Sequence, residues 1–264
     1  MPAASPLITL MTDFGLKDHF VGVMKGVIAR IAPRARVVDI THDIEPYSLP
    51  QARYLLSQSY PYFPPRSVHV VVVDPGVGGE RRPLLVEAAG RIFIGPDNGV
   101  FSDLLALPKA KARELTNRKL WLPEVSSTFH GRDIFAPVAA HVAGGVAPAR
   151  AGKLVRDARR EVPREPVRTG KRFWVGEVLH ADRFGNLITN LRPLEMPELG
   201  RRRAVIKIGF EVIDGLSPNY ASVPPGTVVA VVGSGGTIEI AVNQGHAGRK
   251  LGVGPGSPVE LELC

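Results

Sequence analysis

The sequence has one cysteine, Cys264, and it is the last residue. A lone cysteine cannot close an internal disulfide, which excludes a disulfide-stapled extracellular scaffold and a zinc site built on several thiolates. No apolar run approaches the roughly 18 residues needed to span a bilayer. The N-terminus lacks the basic start and long apolar core of a signal peptide, because the run Pro6 to Met11 meets Asp13 almost at once. Among seven histidines there is no HExxH pattern, which argues against a helix-borne zinc site. Aromatic residues are only 6% of the chain, too few to interleave a nucleic-acid surface with stacking rings. These absences leave a soluble cytoplasmic protein as the expectation.

What is present is globular in character. The chain has 264 residues, 44% hydrophobic and 22% charged, enough to bury a core without disulfide or metal staples. The formal charge is +8. Residues 153–172 alone hold eight Lys or Arg against three Asp or Glu, and 201–203 add three arginines; without these segments the chain is close to neutral. So local an excess reads as solvated surface, with no nucleic acid expected as partner.

The stretch 153–172 contains prolines and little apolar periodicity, and it reads as a basic linker. Before it (1–152), strand and helix signals alternate. Strands are predicted at Leu7–Met11, Arg36–Ile40, Ser67–Val73, Leu84–Ala88 and Ile92–Ile94. Helices are predicted at Phe20–Ile31, Gln51–Tyr60 and Asp133–Ala143, the last only if Pro137 sits in its first turn. This alternation predicts an α/β layered, Rossmann-like domain with a mostly parallel sheet. After the stretch (173–264), helix signals nearly vanish. Six short β-rich runs separated by turn residues predict a small all-β, barrel-like domain.

Polar residues at the ends of buried parallel strands are the first candidates for chemistry, because open α/β sheets bind ligands there. Thr12-Asp13-Phe14-Gly15 ends the first strand; Asp13 is either a helix N-cap or a carboxylate for paired ribose hydroxyls. In Val73-Asp74-Pro75-Gly76-Val77-Gly78-Gly79-Glu80-Arg81, a buried strand runs into an aspartate and three glycines. Without a following Lys-Ser/Thr it is not a phosphate-binding Walker loop. An Asp74–Arg81 pair in a plain structural turn is the alternative. Thr128-Phe129-His130-Gly131-Arg132-Asp133 places a histidine just before a helix, as a functional group or as a packed one. Two later segments, Asp182-Arg183-Phe184-Gly185-Asn186 and Gly233-Ser234-Gly235-Gly236, are either hairpin turns or ligand contacts. An asparagine amide can satisfy an adenine edge, and exposed amides with a hydroxyl can hold a carboxylate.

In order, TDFG, VVDPGVG, PDNG (96–99), TFHGRD, DRFGN and GSGG resemble the S-adenosylmethionine (SAM) hydrolases. These adenosine-forming enzymes are also called SAM hydroxide adenosyltransferases, and the SAM-dependent fluorinases and chlorinases are their relatives. The resemblance runs from about residue 7 to the C-terminus. It implies a Rossmann-like domain followed by a β-barrel-like one, and the reaction of SAM with water to give adenosine and L-methionine. It implies a catalytic triad of Asp74, Arg81 and His130. It places Asp13 on the ribose hydroxyls, Asn186 on the adenine edge, Asp182 on the methionine ammonium and Ser234 on its carboxylate. Tyr47 and Tyr220 are placed to line ribose and adenine, and Glu239 and Val242 complete the substrate-binding set. It further implies a homotrimer with sites built between subunits. A neutral thioether leaves a sulfonium without help, so no metal and no cofactor are expected; the difficulty is activating water.

In the halogenases an aromatic replaces the aspartate of DPGVG, the TFHG histidine is lost, and a long insertion precedes the segment matching PDNG. Here Asp74 and His130 are present and only 22 positions separate Asp74 from Pro96, which favours water over halide. Two readings from other classes stay open: a metal-dependent phosphohydrolase using Asp13, Asp74, His130 and Asp133, and a non-catalytic nucleoside or nucleic-acid binder.

Overall fold

Two hydrophobic periodicities give two kinds of sheet. The computed structural model describes residues 5–162, 165–199 and 202–264. The chain divides into two units, Met1–Val162 and Pro163–Cys264.

The first unit contains β1 (Leu7–Thr12), α1 (Phe20–Ile31), β2 (Arg36–Thr41), α2 (Leu49–Ser59), β3 (Val68–Val72), β4 (Pro83–Ala88), β5 (Arg91–Pro96), α3 (Ser102–Leu105), β6 (Lys111–Glu114), α4 (Ala136–Ala143) and β7 (Lys153–Val155). Its sheet has the order β2-β1-β3-β5-β4-β6-β7. β2, β1, β3 and β5 run parallel, and β4, β6 and β7 extend the sheet through antiparallel pairs. The sheet is therefore mixed, with β6 again in the direction of the parallel set. Strand β3 is apolar at nearly every position because both faces are covered. Val68, Val70 and Val72 point to the core shared with α1 and α4, whereas Val71 and Val73 join the core shared with α2 and α3. Helix α1 contributes Val21, Met24 and Ile28, spaced to lie on one stripe.

Helix α2 starts earlier than predicted. The Ser48 hydroxyl accepts from Gln51 N, and Pro50 sits in the first turn, where its missing N–H costs nothing. The helix predicted over Asp133–Ala143 is a π-helical turn, Gly131–Phe135, continuing into α4. Pro137 does sit in the first turn of α4. It cannot donate to the Asp133 carbonyl one turn back, and Leu122 N takes that acceptor instead, at 2.9 Å.

The second unit contains β8 (Val167–Arg168), β9 (Phe173–Ala181), β10 (Leu187–Thr189), β11 (Ala204–Ile208), β12 (Glu211–Asp214), β13 (Val228–Val232), β14 (Ile238–Val242), α5 (Ala247–Leu251) and β15 (Pro258–Leu263). All its ladders are antiparallel, in the order β12-β11-β15-β9-β10-β14-β13, with β8 added beside β9. Ser217 beyond β12 bridges to Val231 of β13, so the sheet nearly closes into a barrel around Trp174, Leu187, Ile206, Ile240 and Leu261.

The basic stretch 153–172, expected as an exposed connection, carries strand near both ends. β7 pairs with β6, and β8 pairs with β9 while Arg168 stacks over Trp174. The units divide at Val162/Pro163, within that stretch. Residues 163 and 164, and Arg201, lie outside the described residues. No helix among the described residues is long and apolar enough to cross a membrane.

Candidate active site

In the first unit, two clusters form at the carboxyl ends of the parallel strands. Asp74 leaves β3 after Val73, and Arg81 returns to it across a loop containing Gly76, Gly78 and Gly79. The guanidinium grips the carboxylate with two bonds, Nε to Oδ1 at 2.9 Å and Nη2 to Oδ2. Both side chains are shielded, at 4% exposure for Asp74 and 9% for Arg81. Nη2 also lies 2.7 Å from His130 Nδ1, and the guanidinium carbon stands 5.4 Å over the Phe135 ring. The sequence-predicted triad is thus one connected chain of groups with Arg81 in the middle.

Arginine only donates, so Nδ1 of His130 must accept and the neutral ring carries its proton on Nε2. Burial lowers the His130 pKa below its ordinary value, and the Arg81 charge lowers it further, against the opposing charges of Asp74 and Asp133. The loop before His130 is fixed by Asp133, which is fully buried and accepts from Ser126 N at 2.9 Å and Ser126 Oγ at 2.8 Å, with Arg132 Nε at 2.6 Å. The two loops interlock at Gly78. Its φ is +75°, and a Cβ there would stand 2.1 Å from the Ser127 carbonyl oxygen, so only glycine fits.

The second cluster surrounds Asp13. Its Oδ2 accepts from Tyr47 N at 2.9 Å, and Tyr47 holds a left-handed φ of 69° to make that approach. Sequence reasoning missed the residue that braces this loop, His42. Its Nδ1 lies 2.8 Å from Thr12 Oγ1, Thr12 Oγ1 accepts from Phe14 N, and the His42 carbonyl accepts from Gly15 N. A histidine directly after the second strand was the available signal. Among the described residues, no group of three or more His, Cys, Asp or Glu side chains is arranged to hold a metal ion.

The second unit gathers its predicted residues more locally. Asp182 Oδ1 accepts from Phe184 N at 2.9 Å and Asn186 N at 2.8 Å, while Oδ2 accepts from Asn186 Nδ2 at 2.9 Å. Asp182 and Asn186 are therefore partners within one turn between β9 and β10. That turn is keyed by Gly185, where a Cβ would stand 2.1 Å from the His246 ring. Buried Glu239 accepts from the Tyr220 hydroxyl at 2.7 Å, and burial together with that carboxylate pushes the Tyr220 pKa up to about 12. Gly233 has no room for a side chain because Glu239 fills the space, and Ser234 is exposed at the tip of the same turn. Val242 is buried in the barrel core.

An α/β unit with a carboxylate–guanidinium–imidazole chain at its strand ends, followed by a small antiparallel barrel, defines a two-unit enzyme class. The chain matches the SAM hydroxide adenosyltransferase N-terminal domain over residues 8–152 and the C-terminal domain over 176–260, and it belongs to that family. It is 39% identical to an (R)-S-adenosyl-L-methionine hydrolase of Salinispora tropica, over 98% of each chain. A more distant relative, a fluorinase of Nocardia brasiliensis, is 25% identical over 98% of this chain and 97% of that one. Among solved structures, an uncharacterized conserved protein from Thermotoga maritima superposes with a TM-score of 0.90 at 37% identity, covering 96% of this chain and 99% of that one.

Proposed function

We propose that this chain hydrolyses S-adenosyl-L-methionine to adenosine and L-methionine by attack of water at ribose C5′. The observation that carries the reading is Arg81 joined to both Asp74 and His130. As water attacks, its oxygen forms the C5′–O bond, the C5′–S pair departs to sulfur as a neutral thioether, and one water proton is released. Arg81 cannot accept that proton. With Nδ1 accepting from Arg81, the Nε2–H of His130 is shared between the Ser126 backbone and the water it orients. Asp74 retains lone pairs beyond its two bonds to Arg81 and is assigned as the proton acceptor. General-base assistance of this kind contributes about 10²–10⁴-fold, and orientation adds to it. No metal or other cofactor enters this scheme.

Asp13 takes the ribose hydroxyls, with Tyr47 beside it. Asn186 takes the adenine edge, Asp182 the ammonium and Ser234 the carboxylate, and Tyr220, Glu239 and Val242 support these contacts. A halogenase reading is disfavoured by charge, since a shielded carboxylate beside the nucleophile repels halide but accepts a proton from water. The direct test is incubation with SAM in chloride buffer, with and without a chelator, followed by chromatography. Adenosine and methionine in both arms are expected. A 5′-halogenated nucleoside as main product, or loss of activity with the chelator, overturns the scheme.

The proposed contacts fall on both units, and the family resemblance supports a homotrimer in which one subunit's first unit works with a neighbour's second. Head-to-tail interfaces of that kind close into a ring. Co-expression of Asp74→Ala with Asn186→Ala subunits should restore activity well above either variant alone. Verified mixed trimers without rescue would place each site within one chain.

A further inference from the structure

The Pro96-Asp97-Asn98-Gly99 turn hydrogen-bonds to both stems of the loop that carries Asp74 and Arg81. Val73 directly precedes Asp74, and Arg82 directly follows Arg81. Asn98 is buried and donates from Nδ2 to the Val73 carbonyl at 2.8 Å, while its Oδ1 accepts from Val100 N at 3.2 Å. A carbonyl can only accept and an amide N–H can only donate, so the orientation of this side chain is fixed by its partners. Asp97 holds the other stem twice. Its N–H donates to the Arg82 carbonyl at 2.9 Å, and its Oδ2 accepts from Arg82 Nε at 2.8 Å. Asp97 Oδ1 accepts in turn from Arg159 N at 2.7 Å, so the segment after β7 braces the clamp from outside.

This arrangement answers a local need. The β4/β5 ladder ends at the pair Pro83 and Pro96, neither of which has an N–H to extend it. Beyond that point lies a loop with three glycines, whose backbone other residues would restrict more. We infer that Asn98 and Asp97 are positioning residues. They hold Asp74 and Arg81 in register with His130 by fixing both ends of the loop, Asn98 through Val73 and Asp97 through Arg82. The kinetic part of this inference rests on the hydrolase reading above; the geometric part does not.

Asn98→Ala should lower kcat about 10²-fold, the cost of a misplacement near 1 Å, with SAM affinity by calorimetry nearly unchanged. Because Asn98 acts through Asp74, the double variant with Asp74→Ala should be no slower than Asp74→Ala alone. Asp97→Asn should show the same pattern with a smaller loss, and it serves if Asn98→Ala does not fold. A second readout needs no turnover. The charged groups facing His130 are Arg81, Asp74 and Asp133, and its ring also has a backbone hydrogen bond at Ser126. In an NMR titration of either variant the His130 midpoint should rise towards the ordinary histidine value as Arg81 drifts from Nδ1, while His141 on α4 keeps its own. Wild-type protein inert towards SAM but with these midpoints would sink the hydrolase reading and leave the clamp standing. Unshifted His130 midpoints in both variants, equal shifts at His141, or a double variant slower than Asp74→Ala by the full Asn98→Ala factor would overturn the clamp.

Discussion

The two units hold their candidate site residues by different means. In the first, beside the Arg81–Asp74 pair seven positions apart, bonds join residues far apart in sequence: Arg81 to His130 across 49 positions, Tyr47 N to Asp13 across 34, and Thr12 to His42 across 30. In the second, Asp182 and Asn186 are four positions apart and hold each other within a single turn, and the longer bond, Tyr220 to Glu239, spans 19. Long-range bonds cost chain entropy that folding must already have overcome, and they fix geometry before any ligand arrives. A short turn organises itself at little cost in chain entropy. On the proposed reading, the first unit positions the reacting groups and the ribose, and the second recognises the rest of the substrate.

The largest effects should come from breaking the first arrangement. Asp74→Ala or His130→Ala should reduce kcat by at least about 10²-fold while SAM affinity changes little. Near-normal turnover in either variant would remove the triad assignment. An intermediate effect is expected from the second arrangement. Asn186→Ala leaves the adenine edge unpaired, a loss of about 1–3 kcal/mol, read as roughly 5- to 150-fold weaker SAM binding with kcat largely kept. A pure kcat loss in that variant would erase the division of labour between the units.

How far this division was legible in the sequence depends on the range of the interactions. Strand β3 was readable because its cover on both faces demands the run Val68 to Val73, apolar except at His69. Strands β6 and β7 were not, since Lys111–Glu114 and Lys153–Val155 are short, charged and held by backbone pairing. The arginines of 153–172 suggested a solvated connection, but Arg159 offers its backbone N–H to Asp97 and Arg168 its guanidinium to Trp174, and neither use has a compositional signature. Asp74 and His130 stood out by their places at a strand end and before a helix, whereas their grouping with Arg81 as a triad came from the family resemblance. That Arg81 would be the hub, and His130 the acceptor, was not legible, because it depends on which atoms meet. Asp182 and Asn186 were assigned to different parts of a ligand, and nothing in their spacing revealed that they bond each other.

The smallest expected effect is one of pH, and it also separates the units. His130 must stay neutral to accept from Arg81, and its pKa is held below the ordinary value by burial and by the Arg81 charge. The sign follows directly: kcat is fully present at neutral pH and falls on acidification, with a midpoint below the usual histidine value of 6.5. In the second unit, Tyr220 keeps its proton up to about pH 12, so its bond to Glu239 contributes no step between pH 6 and 9. A kcat profile falling on the acid side with a midpoint above 6.5 would contradict the buried, arginine-bonded imidazole.

Attack of water on C5′ is tested most directly by turnover of SAM in water enriched in ¹⁸O, with both products analysed by mass spectrometry. If Asp74, Arg81 and His130 direct water at that carbon, adenosine carries one ¹⁸O in its 5′-hydroxyl and methionine carries none. Label in the amino-acid fragment, released as homoserine alongside methylthioadenosine, would show cleavage of a different carbon–sulfur bond and contradict the proposed chemistry.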